Sequence, residues 1–188
     1  MFHRYYQEML FPFTILLISF SVQTYLIFPI EQYLREDQLT EIVSLIFIPH
    51  GVKVLLAMVY GAFALPAIFT AQIINGFFLT GDIEWTQIYG AVAGTLCIGL
   101  PLILHNLSVN KPLGSSSIFD LNLSFNIFWL FISWAIISSF LNSILHSLIY
   151  GFPVDNLPWY FLFGDVFGSF ILCLISMAIV RSVKMLGW

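Results

Sequence analysis

The sequence predicts an all-α, polytopic bundle of transmembrane helices, and three observations carry that prediction. Hydrophobic residues make up 60% of the 188, charged residues only 9%, and mean hydropathy is +0.95. A soluble domain carries roughly 25% charged residues to cover its core, whereas six basic and ten acidic side chains cannot solvate a 21.4 kDa body. The polar residues also gather in clusters that divide the chain into apolar runs of about 20 residues, the length that crosses a hydrocarbon core about 30 Å thick. A soluble enzyme is thereby excluded. A net charge of −4 without any basic stripe excludes a nucleic-acid partner as well.

Taken in order, six spans result. The first runs from about Met9 to Phe28; its apolar run is too long for a signal-peptide core and lacks a small-residue cleavage site, so it is a retained helix. The second and third, Ile42 to Tyr60 and Ala62 to Thr80, are separated only by Tyr60-Gly-Ala-Phe-Ala-Leu-Pro66. Without a turn there, the count falls to five. The fourth, fifth and sixth run from Gln87 to His105, Leu123 to Ile149 and Trp159 to Arg181. The longest connection, Asn106 to Asn122, contains Lys111-Pro-Leu-Gly-Ser-Ser-Ser and is too short for a domain, so residues 1–188 read as one integral membrane domain with no soluble domain.

Six spans put both termini on one side, together with Arg4, Lys111, Arg181 and Lys184. The other side receives Glu31, Glu36, Asp37, Glu41, Asp82, Glu84 and Asp155, with Arg35 as its only basic residue. Because cytoplasmic loops are enriched in Lys and Arg, both termini are expected in the cytoplasm. Trp85 and Trp159 then sit at the outer interface and Trp188 at the inner one, where amphipathic rings are favoured.

Ionisable residues inside a span are costly and usually face a cavity or a partner. Lys53 and Asp165 are two such residues; depth counting puts both in the outer half of the bundle, where the flexible Lys53 stem can bring the two charges together as a coupled pair. His50 precedes Lys53 by one helical turn and shares its face. Gln72 and Asn75 in the third span, and Asn142 and His146 in the fifth, fall at similar depth. Two readings stand: a polar pocket open to the outside that binds a small molecule, or a satisfied network that fixes helix register. His50 and His146 lack a carboxylate at ligand spacing, so neither a metal nor another cofactor is expected. Cys97 and Cys173 lie in apolar runs and read as buried or lipid-facing thiols. No catalytic residues are expected, since no Ser-His-Asp order, HExxH or Gly-rich phosphate loop is present. Asn106-Leu-Ser and Asn122-Leu-Ser match the glycosylation pattern but fall on the inner side.

Phe47-Ile-Pro49-His50-Gly51-Val-Lys53, followed by Gly61 and Leu65-Pro66-Ala-Ile-Phe69, resembles the pattern near the start of MASE1-type membrane sensor domains. Phe163-Gly164-Asp165-Val-Phe-Gly168 similarly resembles the Gly-Asp-x-x-Gly motif in that family's last helices. The match covers about forty residues, and it brings Gly51 and Gly168 into the polar layer with His50 and Asp165. It implies a module of the bacterial cytoplasmic membrane that senses a signal and is usually fused to a histidine kinase or diguanylate cyclase. Since the chain ends soon after Arg181, output is expected through a partner protein. In size and helix number the chain is also similar to the substrate-binding subunits of energy-coupling-factor vitamin transporters. A non-catalytic accessory subunit of a membrane complex is the third class that fits.

Overall fold

The structure, a computed structural model, describes residues 2–34, 44–108, 125–150 and 157–185. Helix α1 (Phe2–Val22) passes through a π-helical turn, Gln23–Ile27, into α2 (Phe28–Leu34). A π turn carries one extra residue, which re-aims the side chains at that point. Here it accompanies a Gln23 that is buried inside the bundle. The first helix therefore continues past the Phe28 expected from hydropathy, and Glu31, expected in an outer loop, is buried on α2.

Residues 44–47 are not helical and form a short strap. Helix α3 (Ile48–Tyr60) starts there, six residues later than the expected Ile42, with Pro49 in its first turn, where a missing N–H costs nothing. Lys53 is consequently five residues into the helix, about 8 Å at 1.5 Å per residue, rather than at mid-span.

The chain then passes through Gly61–Phe63 into α4 (Ala64–Thr80). Gly61 has φ 61° and ψ −142°, a conformation that a Cβ would obstruct. It reverses the chain: a straight helix would put Lys53 and Gln72 about 28 Å apart, yet Lys53 Nζ lies 3.4 Å from Gln72 Oε1. The turn expected between Tyr60 and Pro66 is thus formed. Gly81, at φ 81°, ends α4 by donating its N–H to Phe77 O. Helix α5 (Trp85–Ser108) follows, tied back by Gln87 Nε2 donating to Thr80 Oγ1 at 2.6 Å. Helices α6 (Phe125–Tyr150) and α7 (Leu157–Met185) complete the bundle.

Cross-helix contacts fix the directions. Phe11 meets Tyr60 while Gln23 meets Ile48, so α1 and α3 are antiparallel. Gly99 packs on Leu65 while Thr95 meets Gln72, Cys97 reaches Asn142 while His105 meets Trp134, and Asn142 reaches Asp165 while His146 meets Phe161, so α4 to α7 alternate. Helix α3 runs parallel to α7, with Phe47 and Gly51 beside Gly168 and Ser169. Counting by length and composition, five helical stretches among the described residues suffice to cross a membrane, and the second of these, Ile48–Thr80, contains the reversal at Gly61. The chain is a multi-pass membrane protein.

Helix α3 sits at the centre: nine of its 13 residues are buried, so its polar side chains cannot face lipid. Val54 and Met58 join Leu16, Phe20, Ile68, Ile98, Leu102, Phe131 and Trp134 in one apolar core. Trp85 and Trp159, both strongly exposed, begin α5 and α7 at the same end of the bundle. Arg35, Glu36, Asp37, Glu41, Lys111, Asn122, Asp155 and Trp188 lie outside the described residues, as do the linker 109–124 and the ends of the spans expected at Ile42 and Leu123.

The alternation has a direct test in a chain whose Cys97 and Cys173 have been replaced by alanine. Asp82→Cys, in the exposed α4–α5 turn, and Ser108→Cys, at the far end of α5, are expected to react with an impermeant maleimide from opposite sides of sealed vesicles. Labelling of both from one side would show that α5 does not cross.

Candidate ligand cavity in the polar layer

A cavity of about 110 Å³ opens beneath the strap, lined by Phe28, Ser44, Phe47, Lys53, Gln72, Asn142, His146, Phe161 and Asp165. Five of the eight residues expected to form a pocket therefore line it: Lys53, Gln72, Asn142, His146 and Asp165. The other three do not. His50 lies one layer behind Asp165 and is fully buried. Gly51 is a packing position, where a Cβ would come within 2.7 Å of Ser169 Cα. Asn75 is half-buried on α4 and outside the lining.

Asp165 is the hub. Its Oδ2 accepts from Asn142 Nδ2 at 2.9 Å and lies 3.1 Å from His50 Nδ1, an approach too oblique for a straight hydrogen bond. On the other side of the ring, His50 Nε2 stands 2.8 Å from Ser138 Oγ and 3.2 Å from Ser139 Oγ. Ser139 gives its proton to Ala135 O at 2.6 Å. Ser138 Oγ stands 3.1 Å from that same carbonyl and 2.8 Å from Nε2, so its one proton has two acceptors, and the tautomer that carries its proton on Nδ1 turns that proton toward the carboxylate. The imidazole thus lies between the serine pair and Asp165, with Nδ1 left short of a hydrogen bond.

This array has the Ser-His-Asp connectivity that the linear sequence does not display, because its members are scattered as His50, Ser138 and Asp165. Hydrolysis needs a substrate at the serine and donors for an oxyanion. The cavity instead meets the array at its carboxylate end, and both serines are 1% exposed or less. The cavity thus reaches Asp165 and does not include Ser138 in its lining. Among the described residues, no three His, Cys, Asp or Glu side chains converge as metal ligands would.

Lys53 is 2% exposed, and its ammonium donates to Gln72 Oε1 at 3.4 Å. It makes no ion pair with Asp165 within 4.0 Å, so the two charges share a cavity without touching. Gln72 is held by its amide, which donates to Ala91 O and Thr95 Oγ1, both at 3.2 Å. Gly94 makes room for it, since a Cβ there would collide with Gln72 Oε1. His146 donates from Nδ1 to Asn142 O at 3.0 Å, with its ring 5.9 Å from that of Phe161.

The strap is the cavity's roof. Glu31 accepts the N–H groups of Leu45 and Ile46 at 3.2 and 2.9 Å. Gln23 donates to Ser44 Oγ at 2.9 Å and accepts from Ile48 N at 3.1 Å, capping the first free N–H of α3. Phe47 N donates to Gly164 O at 2.9 Å. Sequence reasoning missed Gln23, Glu31, Ser138 and Ser139 as members of this layer. The stripe Ser138, Asn142, His146, at i, i+4 and i+8 on one helix face, was a readable signal for the serines. Nothing local marked Glu31, whose burial follows from the fold-back of the strap.

Hydrogen bonds to a charged group contribute about 1.5 to 3 kcal/mol each. Glu31→Gln keeps the shape but weakens two of them, and thermal unfolding in detergent is expected to show a loss of about 2 kcal/mol. An unchanged melting temperature would mean that Glu31 does not hold the strap. Neither a family model, a curated protein nor a solved structure matches the chain.

Proposed function

We propose that this chain is a membrane sensor or ligand-binding module whose polar pocket faces outward and whose occupancy is read by a partner protein. The reading is supported above all by one observation: a buried ammonium and a buried carboxylate line one cavity yet do not pair with each other. A network serving only helix register would gain by closing that pair. The motif resemblance to MASE1-type sensor domains, the exposed tryptophans at the strap end and the acidic residues there support an outward pocket in a bacterial cytoplasmic membrane. The lipid bilayer is then the solvent and a signalling protein the partner.

Native mass spectrometry of the gently extracted protein tests this. Retention of a small molecule, together with a ligand-dependent rise in melting temperature, is expected, because a ligand that binds only the folded state stabilises it by mass action. A vitamin retained with transporter subunits would favour a substrate-binding subunit instead. Copurification with a membrane complex and indifference to small molecules would leave an accessory subunit.

A further inference from the structure

We propose that the cavity takes a small zwitterion, an α-amino acid of glycine to alanine size, with its carboxylate on Lys53 and its ammonium on Asp165. This deepens the ligand-binding reading above and rests on it.

An ammonium has three donors. Those of Lys53 have one partner among the described residues, the 3.4 Å bond to Gln72, although the side chain is 2% exposed. Asp165 is the complementary case. Its Oδ2 is engaged by Asn142 and faces His50, whereas Oδ1 has no partner among the described residues. A donor set and an acceptor thus stand unclaimed in one enclosed space.

Their separation is built in rather than accidental. A lysine stem of four methylenes is long and flexible, but its head is drawn to Gln72, which Ala91 and Thr95 fix from the opposite helix. On the other side, Asn142 and His50 hold the carboxylate back.

Charge and size then select the ligand class. The cavity holds one positive and one negative group, so an anion or a cation alone would leave one charge of the pair uncompensated in a low dielectric. A dipolar molecule neutralises both. The volume of about 110 Å³ is somewhat smaller than a cavity of about 150 Å³ that takes benzene, which suits a ligand of about six heavy atoms, the size of glycine or alanine. The rings of Phe28, Phe47 and Phe161 wall the remainder, apolar enough for a methyl and suited to a neighbouring ammonium.

Isothermal titration of the full chain in detergent with glycine, L-alanine, acetate and methylammonium tests the proposal. Glycine or L-alanine is expected to bind at least about tenfold more tightly than either singly charged fragment, since each fragment loses one of two charged contacts. Lys53→Met is expected to weaken acetate and leave methylammonium the better-bound fragment, and Asp165→Asn to weaken methylammonium and leave acetate the better-bound one. Should either variant fail to fold, the four-probe comparison on the unaltered chain decides. Acetate or methylammonium binding as tightly as L-alanine would overturn the zwitterion and leave a ligand cavity standing. Binding of none of the four probes would overturn the zwitterion, and if a broader small-molecule screen also failed, the ligand-binding reading would fall with it.

Discussion

Asp165→Leu is expected to cost about 3 to 5 kcal/mol of stability, the usual result of removing one member of a buried charged set. The loss has three identifiable parts. Asn142 Nδ2 loses its acceptor, His50 Nδ1 loses its facing carboxylate, and Lys53 is left as an uncompensated cation in the bundle. Most of that cost belongs to the stranded groups rather than to the carboxylate itself. The double change Lys53→Met, Asp165→Leu is therefore expected to recover more than half of the loss in reversible unfolding from mixed micelles. Simple additivity would show that the two residues do not sense each other across the cavity.

Gly168→Ala is expected to be nearly as damaging, at about 3 kcal/mol, the upper end for overpacking. A Cβ at Gly168 would collide with the backbone carbonyl of Phe47, and one at Gly164 with that of Ser44. A side-chain tip can rotate away, but a strap pinned by Glu31, Gln23 and Gly164 O cannot. Gly164→Ala should thus behave like Gly168→Ala. Gly99→Ala is the control: its nearest neighbour is the tip of Leu65 at 3.4 Å. That change is expected to be neutral or to gain up to about 1 kcal/mol from the helix propensity of alanine. Equal losses at Gly99 and Gly168 would mean that the strap does not pack where it is described.

Much of this architecture was legible in the sequence because bilayer thickness imposes a length that hydropathy can read. The reversal at Gly61 announced itself by a glycine and a proline within an apolar run, and Lys53 and Asp165 by their charge in a span. Less was legible where backbone hydrogen bonding overrides hydropathy. Residues 44–47 are as apolar as a helix yet form a bent, non-helical strap, because Glu31 and Gly164 take the N–H groups of Leu45, Ile46 and Phe47 while Gln23 holds Ser44 Oγ and Ile48 N. Such long-range capture has no local signature. The direct Lys53–Asp165 pairing suggested by depth alone fails for a similar reason: Gln72, nineteen positions along, competes for the ammonium. His50, expected in the pocket wall, stands behind Asp165 because Ser138 and Ser139 on α6 draw its far nitrogen inward.

Two buried charges held apart across one cavity carry the proposed ligand-binding reading, and their separation in a bilayer measures that most directly. The chain has three lysines and five aspartates, few enough for solid-state magnetic resonance with ¹⁵Nζ-lysine and ¹³Cγ-aspartate to identify a Lys53–Asp165 contact by its loss in Lys53→Met. In ligand-free protein the account predicts no dipolar coupling of contact strength between Lys53 and Asp165, and on addition of ¹⁵N-glycine a new coupling from its ammonium to Asp165. A contact ion pair between Lys53 and Asp165 that persists in the presence of glycine would contradict it and leave the polar layer as a structural network.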